Sequence, residues 1–181
     1  MRKNLLLLLF LCVFNSLVRG QNVEHIDKPV NINFIDSIVG AKSSPGQGGS
    51  AFEKDGNSFD VLVYSNWQET QISVLVLIER TKDKREIMKD FFVLDYNNLR
   101  CQFPDAVLAT GIDEQYKERN GKMELDNLVV SIYDYRETDV YGNNPEYYTR
   151  ILKAWTIDKT RLKFIEIPTK GLTHYNVGFD A

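Results

Sequence analysis

Side chains able to do chemistry crowd together at residues 133–148. The stretch reads Y-D-Y-R-E-T-D-V-Y-G-N-N-P-E-Y-Y, with five tyrosines, four carboxylates and one arginine in 16 residues. Gly142, Asn143, Asn144 and Pro145 favour a turn. The segments on either side read as strands, so the stretch is expected to project from one end of a sheet. Two chemistries fit it. Tyrosines and amides make an adaptable recognition surface, with Asp134, Tyr135, Tyr141, Asn143, Tyr147 and Tyr148 as the candidate contacts. Alternatively, two of Glu124, Asp126, Asp134, Glu137 and Asp139 could face each other as an acid–base pair. A glycosidase needs its two carboxyls about 5–10 Å apart, and spacing along a chain does not fix that distance. The plain structural reading is an acidic, solvated loop whose tyrosines pack on the sheet edge.

Trp67 lies in S-N-W-Q-E-T, which reads as an exposed connection between two strands. A tryptophan there either folds back on the core or contacts a ligand such as a protein or a carbohydrate. Only two histidines are present, His25 and His174, and neither has a metal-ligand spacing. Both are expected at the surface or at a sheet edge. The sequence contains no nucleophile elbow, phosphate loop or dinucleotide fingerprint. No residue is therefore assigned to catalysis, to a metal or to a cofactor.

One segment, A-F-E-K-D-G-N-S-F-D-V from Ala51 to Val61, is similar to the calcium loops of repeat-containing secreted proteins, D-x-N-x-D-G-x-x-D before a strand. That resemblance implies carboxylate ligands around the sharp turn at Gly56. It covers about ten residues and departs from the pattern twice: Ala51 stands at the first ligand position, and Asp60 falls one residue late. The alternative is a hairpin turn at Asp55-Gly56.

The elements must be sorted from the leader first. Arg2 and Lys3, an apolar run from Leu5 to Phe14, and a small residue at Gly20 make the three-part pattern of a secretory signal peptide over residues 1–20. Cleavage after Gly20 removes Arg2, Lys3 and Arg19, so Lys plus Arg falls from 22 to 19 against 25 Asp plus Glu, a net charge of −6. No apolar stretch of about 18 residues follows, so no spanning helix is expected. The acidic balance, with no dense basic run, argues against a nucleic-acid binder. Cys101 alone remains after cleavage, which precludes an internal disulfide. It is expected to be a small buried apolar residue.

Residues 21–50 read as a lead-in segment followed by a flexible loop, A-K-S-S-P-G-Q-G-G-S. Helix and strand both fit residues 30–39. A single domain is expected over residues 51–181, built from short β-branched and aromatic runs separated by turns. Residues 59–65 read as a strand, and 72–78 as one buried on both faces. Residues 86–94 fit either element, with strand preferred because a hairpin partner precedes them. Asn120-Gly121 is the strongest hairpin signal. Residues 149–157 and 162–167 form a further hairpin, with Thr149, Ile151, Lys153, Trp155 and Ile157 on one face.

The expected class is all-β or β-rich, an antiparallel sandwich or curved meander of about eight to ten strands with at most short helices. The expected function is that of an exported (periplasmic or extracellular) non-enzymatic binding domain, recognising a protein or a glycan through the aromatic-acidic loop. A secreted hydrolase with a carboxylate pair is the rival. A structural envelope protein, or an inhibitor or immunity-type protein steered by its negative charge, is the third possibility.

Overall fold

The apolar run at residues 72–78 becomes the central strand of the first sheet. In the computed structural model, which describes residues 23–40, 42–66, 70–136 and 145–176, that strand is β4 (Ile72–Arg80). Beside it lie β3 (Asn57–Asn66) and β5 (Glu86–Asp95), and outside these β2 (Ser44–Lys54) and the two-residue β1 (Lys28–Pro29). The order is β1-β5-β4-β3-β2, antiparallel throughout. A strand with one wet face alternates apolar and polar residues; β4 does not, because both its faces are covered. Leu75 and Leu77 face the second sheet. Val74, Val76 and Ile78 face helix α1 (Ile32–Val39), whose Ile35 and Val39 are fully buried against them. Residues 30–39 are thus largely helical. The side chain of Asn31 accepts from the N–H groups of Asn33 and Phe34 at 3.0 and 3.3 Å, and Gly40, at φ 79°, ends the helix.

The second sheet has the order β10-β9-β7-β6 and is antiparallel. It comprises β6 (Leu108–Arg119), β7 (Lys122–Asp134), β9 (Ile151–Asp158) and β10 (Lys163–Glu166). A two-rung ladder of β8 (Tyr147–Tyr148) and β11 (His174–Tyr175) stands apart. A second helix, α2 (Tyr96–Gln102), covers one end of the core with Tyr96 and Leu99. Among the described residues the count is therefore eleven strands and two helices, of eight and seven residues. The excess over eight to ten comes from β1, β8 and β11, two-residue strands with no periodicity to read.

Phe52, Phe59, Leu75 and Leu77 of one sheet pack on Leu128, Val130, Ile132 and Ile157 of the other. Hydrogen bonds stitch both open sides of this sandwich. The Ser50 N–H donates to Glu114 Oε1 at 3.1 Å, and the Phe164 N–H donates to Asp90 Oδ2 at 2.8 Å. Both expected tight turns carry positive φ at their two central residues, Asp55 and Gly56 at 54° and 76°, Asn120 and Gly121 at 52° and 74°. That is the type I′ geometry whose twist matches the flanking strands.

Three expectations are corrected. The Ser/Gly/Pro tract is not a loop: from Ser44 onward it is β2, paired with β3. Glycine is required there by close approach, since a Cβ on Gly49 would lie 2.8 Å from Leu128 Cδ1 and one on Gly48 2.6 Å from the Val61 carbonyl oxygen. Cys101 is exposed, not buried, because Tyr96 and Leu99 define the buried stripe of α2 and position 101 lies on the opposite face. The single apolar face expected along β9 is broken by a bulge at Leu152, where Lys153 pairs with Ile132 but Ile151 pairs with Tyr133. The extra residue turns Ile151 to the outer face while Trp155 and Ile157 stay inside.

Candidate interaction surface

β7 ends at Asp134, and that residue organises one end of the second sheet. Its side chain is 2% exposed. Its Oδ1 accepts from the backbone N–H groups of Val107 and Arg136 at 3.0 and 3.2 Å. The Arg150 guanidinium donates to Oδ2 at 2.6 Å, and Arg136 Nε lies 3.4 Å from Oδ1. Burial pushes this carboxyl up, but the two backbone donors and the Arg136 guanidinium outweigh it, and the group is held below the ordinary aspartate range. Asp134 is consequently a fixing residue. It holds two arginines whose side chains are themselves 52% and 55% exposed.

The β8–β11 ladder lies at the same end. Alternation sends its two rungs opposite ways. The Tyr148–His174 rung points in: Tyr148 is 1% exposed, and both rings pack on Tyr133 at 4.6 Å. The Tyr147–Tyr175 rung points out, with its rings edge to face at 5.4 Å. Tyr135, next along the chain from Asp134, lies 5.8 Å from Tyr148 and is 51% exposed. Tyr147 is 46% exposed. The Asn176 side chain donates to the Pro145 carbonyl at 2.9 Å, and the Asn176 N–H donates to the Glu146 carbonyl at 2.9 Å. These bonds bind the returning chain to the C-terminal segment.

His174 is the residue that sequence reading missed. Instead of lying at the surface, it is 9% exposed and its Nδ1 sits 2.8 Å from the Asp113 carboxylate. Gly111, on β6, makes the room: a Cβ there would lie 2.4 Å from His174 Nδ1. The pair joins residues 61 apart, so no local pattern announces it. A glycine, Gly111, within the short apolar stretch from Ala106 to Ile112 was the available signal. His25 lies in the other outer layer, stacked on Phe34 of α1 at 3.8 Å, so the two histidines do not form one site. Burial, and then the neighbouring tyrosines and Asp113, push the Tyr133 phenol up to about 12. It remains a neutral phenol within the aromatic cluster.

Of the candidate contacts, the structure brings together Asp134, Tyr135, Tyr147 and Tyr148 and adds Arg136, Arg150 and Tyr175. Trp67, Tyr141 and Asn143 lie outside the described residues, as do Glu137 and Asp139 of the carboxylate set. Of the three described members, Asp134 stands at the far end of β7 from Glu124 and Asp126. Glu124 is exposed on the β6–β7 arm, Asp126 pairs with Lys159 at 2.9 Å, and Asp134 is enclosed by its donors. Among the described residues no three metal-ligating side chains come together, and the Asp55-Gly56 turn has the Lys82 ammonium against it. No described helix is long and apolar enough to cross a membrane. No protein-family model, curated protein or solved structure matches the chain.

Proposed function

We propose that this chain is an exported, non-enzymatic β-sandwich that binds a protein partner through the tyrosine–arginine end of its second sheet. The observation that carries the reading is that a buried carboxylate, Asp134, fixes two half-exposed arginines beside the exposed rings of Tyr135 and Tyr147. Tyrosine and arginine are the residue types most enriched where protein interfaces concentrate their binding energy. Ordering costs are low here, because the backbone is already held by strand pairing and the arginines by Asp134. The Tyr147–Tyr175 pair, with Tyr147 exposed, is edge to face, which suits a protein surface with relief better than a flat sugar ring. Export rests on the leader pattern of residues 1–20.

Affinity capture from the native extract tests this reading. The wild-type chain is expected to retain a protein that the Tyr135→Ala, Tyr147→Ala double variant loses while its circular dichroism stays unchanged. Retention of the same proteins by both, or of none by the wild type, overturns it.

A further inference from the structure

A concavity lies on the other face of the second sheet, where the end of β5, helix α2 and strand β9 meet. Its volume is about 170 Å³. That is smaller than the roughly 300–1,000 Å³ of pockets for drug-sized ligands, and suits a single ring. Trp155 forms its apolar wall, with Val93 and Leu99 nearby. Phe92 packs on Trp155 at 4.9 Å, and Phe164 packs on Phe92 at 4.8 Å, so the indole is braced by a cluster of rings. The polar lining comes from Asp95, Asn98, Gln102 and Lys153. Gln102 Nε2 donates to Asn98 Oδ1 at 3.2 Å, which aligns the two amides. Lys153 Nζ lies 3.6 Å from Glu166 Oε1, and with Asp95 the site offers charges of both signs.

A ligand matching this lining has one apolar face for the indole and a rim of groups that both donate and accept. Hydroxyls do both, whereas carboxylates only accept and ammonium groups only donate. Mixed charge at the rim selects against an ion of either sign. We propose that this cleft binds one neutral hexopyranose ring, with its C–H face on Trp155 and its hydroxyls on Asp95, Asn98, Gln102 and Lys153. The site is independent of the tyrosine–arginine end, so either can fail alone.

The chain has two tryptophans, so nitrogen-15 NMR reads the cleft directly, with the Trp155 indole signal assigned by Trp155→Phe. The probes are the methyl pyranosides of glucose, galactose and mannose, with glycerol as the acyclic control. At least one pyranoside is expected to move the Trp155 indole and the Asn98 and Gln102 side-chain signals saturably, with a Kd of about 1 mM for so small a ligand. The Asn98→Ala, Gln102→Ala double variant changes only exposed residues and should weaken that binding about fivefold or more. The proposal is overturned if no pyranoside moves these signals at about fifty times that concentration. It is equally overturned if glycerol moves them alike, or if the double variant binds as the wild type does.

Discussion

Asp134 gathers four donors, taking two backbone N–H groups and two guanidinium groups. Replacing it by alanine leaves the part-buried N–H groups of Val107 and Arg136 without this acceptor, while the two half-exposed guanidinium groups turn to water. The Asp134→Ala variant should therefore lose about 2 kcal/mol of stability in urea unfolding; a loss within experimental error would show the network to be incidental. The same residue sets a pH dependence. Asp134 is held low by its donors against the opposing pull of burial, Asp36 by the Ser43 hydroxyl and N–H, and Asp158 chiefly by the Arg161 N–H. Each gives up its proton more readily in the folded chain than in the unfolded one. Their contribution is complete above the unfolded aspartate value of about 3.9 and is lost as pH falls through the lower folded values. Stability should drop on acidification through that window, and less steeply in Asp134→Asn. At this scale the sequence was only partly legible. It put Asp134, Tyr135, Tyr147 and Tyr148 forward as candidates but not the burial of the first and last, because their partners Arg150 and His174 come from segments with no readable link to them.

Turn chemistry and hydrophobic runs were the readable part of the elements. Asn120-Gly121 and Asp55-Gly56 tolerate left-handed backbone, so both hairpins could be placed before any coordinates. The run at 72–78 announced β4 because burial on both faces removes alternation. The tract at residues 41–50 misled for a physical reason: its glycines look like linker composition, yet some are the small residues that let β2 pass close to Leu128 and Val61. Gly111 plays the corresponding part for β11. Its alanine variant places a methyl where the His174 ring lies, so the C-terminal strand must shift off the sheet. Gly111→Ala is expected to cost about 1–3 kcal/mol and to raise hydrogen exchange at residues 172–176 selectively. Unchanged exchange there would mean that β11 does not depend on this close approach.

At the level of the whole molecule, two layers packed on each other leave four distinct exteriors. The outer face of the first sheet is sealed by α1, with Ile35 and Val39 against β4. The outer face of the second is covered in part by the C-terminal segment, with Ile167 and Leu172 packed beside Tyr133 and Ile151. The β6–β7 arm extends with Tyr116 and Met123 exposed, and the tyrosine–arginine end stands at the other end of that strand pair. The proposed function singles out this last surface over the arm, although both expose aromatic or apolar side chains. The difference lies in preorganisation, since Asp134 and the β8–β11 ladder hold the former in one arrangement. Photo-crosslinking in the native cell separates the two most directly, with benzoylphenylalanine placed at Tyr147 in one variant and at Tyr116 in another. A discrete protein adduct is expected from position 147 and none from position 116. An adduct from position 116 alone, equal adducts from both, or none from position 147 would contradict the proposed function.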